Sequence, residues 1–157
     1  MKGMTETWHR FWRLSGFERG VTLEAAAVLV ATRVGLRLAG FRRWQAAVAW
    51  LMPSEAAYNT EQDVVNSARA IARMEQSAAN HLFSRANCLE QSLALWWLLR
   101  RRGIAAELRI GARKDAGRFE AHAWVESSGI VLNDTSESHL HFVPFDGPAS
   151  AMETQTP

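Results

Sequence analysis

Seven consecutive apolar residues, Leu93 to Leu99, constrain this chain more than any other feature. If helical, such a run is apolar on nearly every side and belongs in a protein core. Its ends are marked. Asn87 is suited to cap the N-terminus, and Glu90, three residues later, completes a variant capping box. Arg100, Arg101 and Arg102 complement the dipole at the C-terminus, and Gly103 supplies the stop. The rest of the fold has to wrap this segment. A chain of 157 residues with 48% hydrophobic content can do so in one core, and that content argues against disorder.

The pattern changes character on either side of the run. Before it, Phe17 to Gly40 reads as a long helix rich in alanine and leucine, with Gly40 suited to its end. Phe41 to Met52 reads as a second helix stopped by Pro53. Residues 53–60 form a polar connector. Glu61 to Asn80 has helical spacing, with Val64, Val65, Ala68, Ile71, Ala72 and Met74 mostly on one side. After Gly103 the period becomes two: Ala106, Leu108 and Ile110 alternate with Glu107 and Arg109. Lys114 to Gly117 reads as a turn, Phe119 to Glu126 and Ile130 to Asn133 as strands, and His139 to Phe145 as a fourth. Residues 1–17 and the tail from Gly147 carry little commitment to structure. Helices followed by antiparallel strands predict an α+β fold. The expected organisation is a helical region over 1–60, a core over 61–146 and a flexible tail over 147–157.

The lone cysteine, Cys88, removes any internal disulfide and any zinc site needing two thiolates. A reducing cytosol is the natural setting, and no secretory signal is visible. Leu23 to Phe41 is apolar but interrupted by Glu24, Arg33 and Arg37, so a helix packed on protein is expected, with peripheral membrane contact open. Net charge is +2. Residues 1–50 carry eight basic and three acidic side chains, a net +5, against a net −3 for the remainder. That basic, tryptophan-rich third suits an acidic partner, a membrane surface or nucleic acid, or else simply a solvated helix surface.

Cys88, His122 and Asp134 are the candidates for chemistry. A thiol at the start of a helix and an imidazole and a carboxylate on two strands are the parts of a cysteine nucleophile system. The nucleophile of such a system is a thiolate, which a helix N-terminus favours, and the same unpaired N–H groups suit an oxyanion. If Ser127-Ser128-Gly129 is a three-residue hairpin loop, Glu126 faces Ile130 and, in that register, His122 faces Asp134. A two-residue loop shifts the register by one and sends the two to opposite faces. Alternation puts Trp124 and Glu126 on the face of His122, where the indole can shield the site.

Each residue also has a plain structural reading. A lone cysteine opening an apolar helix is often a small core residue, and Asp134 can simply cap a turn. Asn80, Arg85, Asn87 and Gln91 flank Cys88 and can donate to an oxyanion or cap and tie loops. Glu120 or Asp115 replaces Asp134 as orienter if the register is wrong. His139 and His141 share a strand face at i, i+2, but with no companion ligands they read as a solvated edge, and no metal or cofactor is expected. Tryptophans 8, 12, 44, 50, 96 and 97 read as packing.

The run from Asn87 to Leu95, followed by Leu98 to Ile104, resembles the transglutaminase-like leader peptidases of lasso peptide biosynthesis. Gly111 to Lys114, Ala121 to Glu126 and Val131 to Asp134 continue the likeness in order. The resemblance implies a transglutaminase- or papain-like core with its nucleophile at a helix N-terminus, packed on a small antiparallel sheet. It implies a cytoplasmic cysteine peptidase that removes the leader from a ribosomally made precursor peptide, upstream of an ATP-dependent macrolactam cyclase. Roles carried over are Cys88 as nucleophile, His122 as base and acid, and Asp134 as orienter; by their positions beside these, Asn87 and Trp124 are oxyanion or near-site candidates. Many members are split, relying on a separate leader-binding protein. This chain shows no such element, so the precursor, that protein and the cyclase are the expected partners, and nucleic acid is not. A transamidase on the same site and a non-catalytic peptide-presenting adaptor are the alternatives.

Overall fold

The computed structural model describes residues 15–51, 61–82, 87–115, 117–134 and 137–145. The expected connector over 53–60, the tail from Gly147, Arg85 and the tryptophans at 8 and 12 lie outside the described residues.

Helix α1 (Gly16–Trp50) starts one residue earlier than Phe17 suggests, because Ser15 forms a capping box with Glu18. The Ser15 backbone N–H, then its hydroxyl, hold the Glu18 carboxyl below its usual range. The expected break at Gly40 is present: φ 75°, ψ 171° interrupts the helical path there, a backbone region that glycine alone occupies readily. The chain turns far enough that the Trp44 indole lies on Gly35, where a β-carbon would meet the ring at 2.2 Å. Only hydrogen fits at Gly35.

Helix α2 (Glu61–Leu82) buries Ala68, Ile71, Ala72, Ala78 and Ala79 along one side. Glu75 falls on that same side. It is wholly buried, and neither carboxylate oxygen has a hydrogen-bond partner among the described residues. Burial alone pushes its carboxyl up to about 8.

Helix α3 (Cys88–Arg101) is the apolar run, and it lies in the core as its composition requires. Its C-terminus is a Schellman motif: Gly103, at φ 71°, donates to Arg100, and Ile104 donates to Leu99. At its N-terminus Asn87 accepts from the Glu90 N–H at 2.8 Å. The Glu90 carboxylate faces Arg33 of α1 at 3.8 Å. At the other end Arg101 and Arg102 both pair with Glu24 of α1. α1 therefore runs antiparallel to α3 and holds it near both ends.

Four antiparallel strands follow, β1 (Glu107–Asp115), β2 (Arg118–Ser127), β3 (Ile130–Val131) and β4 (Val143–Pro144), in the order β3-β2-β1-β4. Leu108 and Val125 join the helices in one hydrophobic core with Leu29, Ile71, Leu93 and Leu99. The architecture is thus α+β, as the pattern predicts. Three details depart from expectation. β1 continues through Asp115, so the turn there is tighter than Lys114 to Gly117. The hairpin between β2 and β3 has the two-residue turn Ser128-Gly129, both at positive φ, so Ser127 faces Ile130 and Glu126 faces Val131. His139 is not on a strand; it belongs to a single 3-10 turn, Ser138–His141, and β4 is confined to two residues after it.

Among the described residues no helix is long and apolar enough to cross a membrane.

Candidate active site

The two-residue turn moves His122 and Asp134 out of the register in which they would face each other. They meet nonetheless, because the chain leaves the ladder. β3 pairs only through Val131, with a last bond from the Leu132 N–H to the Val125 carbonyl. Beyond it the vacated edge of β2 is filled by side chains. Asn133 Oδ1 accepts from the Val125 N–H at 2.8 Å. Ser92 Oγ donates to the Ala123 carbonyl at 2.9 Å, and Asn133 Nδ2 donates to Ser92 Oγ at 2.8 Å. An asparagine and a serine thus stand in for a strand, which satisfies buried backbone groups that would otherwise be costly. Freed from the pleat, the next residue turns its carboxylate back to β2. Asp134 Oδ2 lies 3.5 Å from His122 Nε2.

The same link places the thiol. Ser92 is four residues after Cys88, so the two share a face of α3 one turn apart. Ser92 bonds the carbonyl of the residue that follows His122, which fixes the N-terminal end of α3 to the histidine-bearing stretch of β2. Cys88 is the first residue of α3, half-buried and in no disulfide. The N-cap takes up the Glu90 N–H, and the Asn87 carbonyl that of Gln91. The helix leaves the N–H groups of Cys88 and Leu89 without intrahelical acceptors. The structure thus pairs His122 with Asp134. No hydrogen bond joins the thiol to His122 among the described residues.

Around His122 the site is aromatic. Trp124 is buried, its ring 6.0 Å from the imidazole, and its Nε1 donates to Glu126 Oε1 at 2.7 Å. Phe142 covers the other flank at 5.2 Å, itself beneath the Arg113 guanidinium. Gly111, which faces His122 across β1 and β2, makes room for this cluster: a β-carbon there would lie 3.0 Å from Trp124, Phe142 and the Val143 carbonyl. The alternative orienters are otherwise engaged or remote. Glu120 is bonded to Arg113 at 2.7 Å, and Asp115 is exposed at the hairpin end. Asn87 acts through its oxygen as a cap. Asn80 is exposed on α2 and Gln91 is half-buried on α3.

Three contributors escaped the sequence reading. Ser92 stands one turn after the cysteine, immediately before the apolar run, a signal in plain view. Asn133 carries none. His139, read as part of a solvated edge, is half-buried against Asp134: its Nδ1 lies 2.9 Å from Oδ2, and its backbone N–H 2.5 Å. Only His141 of that pair is exposed. The strand expectation failed because Glu137, at φ 54°, sits in left-handed backbone and starts the 3-10 turn.

No curated protein and no solved structure matches the chain at a significant level. The model of the transglutaminase-like superfamily matches residues 27–145. That span covers most of the chain and takes in Cys88, His122 and Asp134 with the helix and strands that carry them. The chain belongs to the transglutaminase-like superfamily.

Proposed function

We propose that the protein is a cysteine peptidase that removes the leader from a ribosomally made lasso precursor peptide, with Cys88, His122 and Asp134 as its catalytic groups. The observation that carries this reading is the His122–Asp134 pair at 3.5 Å on a strand tied by Ser92 to the helix that begins with Cys88. Because Nε2 of His122 is turned to Asp134, Nδ1 is the nitrogen left to take the thiol proton. The Cys88 sulfur attacks the scissile carbonyl, and the N–H groups of Cys88 and Leu89 receive the oxyanion. Collapse of the intermediate breaks the C–N bond as the imidazolium returns its proton to the amine of the core peptide. Water then cleaves the thioester, which frees the leader carboxylate and restores the thiol.

The lasso assignment rests on the ordered motif likeness from Asn87 to Asp134. In that setting the protein acts in the cytoplasm with a separate leader-binding protein, ahead of the cyclase. The basic α1 is the docking element: Leu23, Val30, Val34 and Leu38 are exposed along it, within the net +5 of the first fifty residues.

The test mixes precursor, leader-binding protein and this chain, and reads products by mass spectrometry. Cys88→Ala should abolish cleavage and leave the thermal unfolding curve in place; cleavage by that variant would end the proposal. Membership of a transglutaminase-like superfamily favours transamidation as the second reading. A leader joined to an amine, in place of one ending in a free carboxylate, would select it. Alkylation of Cys88 only after denaturation would point to an adaptor.

A further inference from the structure

We propose that His139 is a positioning residue for the His122–Asp134 pair, resting on the reading of that pair as part of a cysteine hydrolase site. The Asp134 side chain is almost wholly buried, with 3% of its surface exposed. A buried carboxylate must be held by donors, or it neutralises or swings out to water. His139 supplies two donors to one oxygen: ring Nδ1 at 2.9 Å and backbone N–H at 2.5 Å, both on Oδ2. The same oxygen is the one turned to His122, whose Nε2 is buried and makes no hydrogen bond of its own. The orienting carboxylate is therefore aimed at one histidine by another.

His139 is fixed in turn. Its ring lies 5.9 Å from that of Trp124, and the same indole lies 6.0 Å from the ring of His122. Trp124 is anchored through Nε1 to Glu126. The left-handed backbone at Glu137 sets the direction of the 138–141 turn, so that the His139 N–H and ring converge on one acceptor. For Nδ1 to donate, the ring must carry its proton there, a tautomer that acceptance by Asp134 selects. None of this requires His139 to touch a substrate.

The test separates the donor from the ring. His139→Asn keeps an N–H near the place of Nδ1 and loses the packing on Trp124. His139→Phe keeps the packing and loses the donor. Both leave the backbone N–H in place. The first readout is the rate and pH profile of Cys88 alkylation in the native full-length protein, which needs no peptide substrate. The second is leader cleavage with precursor and leader-binding protein, resolved into kcat and KM.

His139→Phe should slow alkylation about tenfold and change the shape of its pH profile, with kcat falling and KM unmoved, as for loss of one hydrogen bond to a charged group. His139→Asn should stay within about threefold of wild type on the same basis. Wild-type behaviour of the Phe variant, or equal slowing of both variants with the fold intact, would overturn the proposal. So would a slow Asn variant beside a normal Phe variant, since packing would then be the whole role. If no peptide is cleaved but the alkylation order holds, the peptidase reading fails while the positioning role stands.

Discussion

Replacing Glu75 with glutamine should change how stability depends on pH. Glu75 is wholly buried on α2, has no hydrogen-bond partner for either oxygen, and has its carboxyl raised from 4.5 to about 8 by burial. Between those values the unfolded chain has released the proton and the folded chain keeps it. Stability from this group is complete below 4.5 and drains away as pH rises towards 8, at about 1.4 kcal/mol per unit. From pH 5 to pH 8 the loss is roughly 3–4 kcal/mol, a large part of the ~5–15 kcal/mol that holds a typical domain together. Glutamine has nearly the same shape and no proton to lose, so Glu75→Gln should remove this slope. Urea denaturation followed by tryptophan fluorescence, at a series of pH values, measures it. The two proteins should be close at pH 5, with the variant increasingly the more stable as the medium turns alkaline. Parallel pH profiles for the two would show that the carboxyl is not held protonated in the fold, and the reasoning from burial would be wrong.

Two substitutions test the scaffold of the site. Asn133→Leu strands the Val125 N–H and removes a donor from Ser92, and should lower unfolding free energy by about 2–3 kcal/mol in chemical denaturation, with cleavage lost beyond what that accounts for. Gly111→Ala introduces a methyl group 3.0 Å from Trp124, Phe142 and the Val143 carbonyl, and should cost about 1–3 kcal/mol by calorimetry while shifting the near-ultraviolet signal of the aromatic cluster.

What the sequence could reveal was local. The ends of α3 were legible because capping is decided within a few residues: Asn87 accepts from Glu90, and Gly103 turns the chain. The break at Gly40 was legible for the same reason. The hairpin register was not. Ser128 adopts φ 48° without being one of the glycine, asparagine or aspartate residues that announce such a turn, so the shorter loop left no mark. Asp134 reaches His122 despite the altered register because Asn133 leads the chain out of the ladder, a long-range exchange of partners with α3 that no period of two can foresee. The part played by His139 was hidden by alternation itself, which suggests a strand where Glu137 in fact begins a helical turn. Glu75 sat in view at the spacing of its buried neighbours Ile71, Ala72, Ala78 and Ala79, and only packing could show that no hydrogen-bond partner meets it among the described residues.

Gly40 carries a consequence for the shape of the whole molecule. An unbroken helix of 35 residues would be a rod of about 52 Å, longer than a domain of this size is wide. A side chain at position 40 would favour that rod, casting Phe41 to Trp50 out into solvent, uncovering Val48 and parting the Trp44 indole from Gly35. The missing substituent on one carbon therefore sets the silhouette of the protein, and with it how close a large visitor can come to that flank.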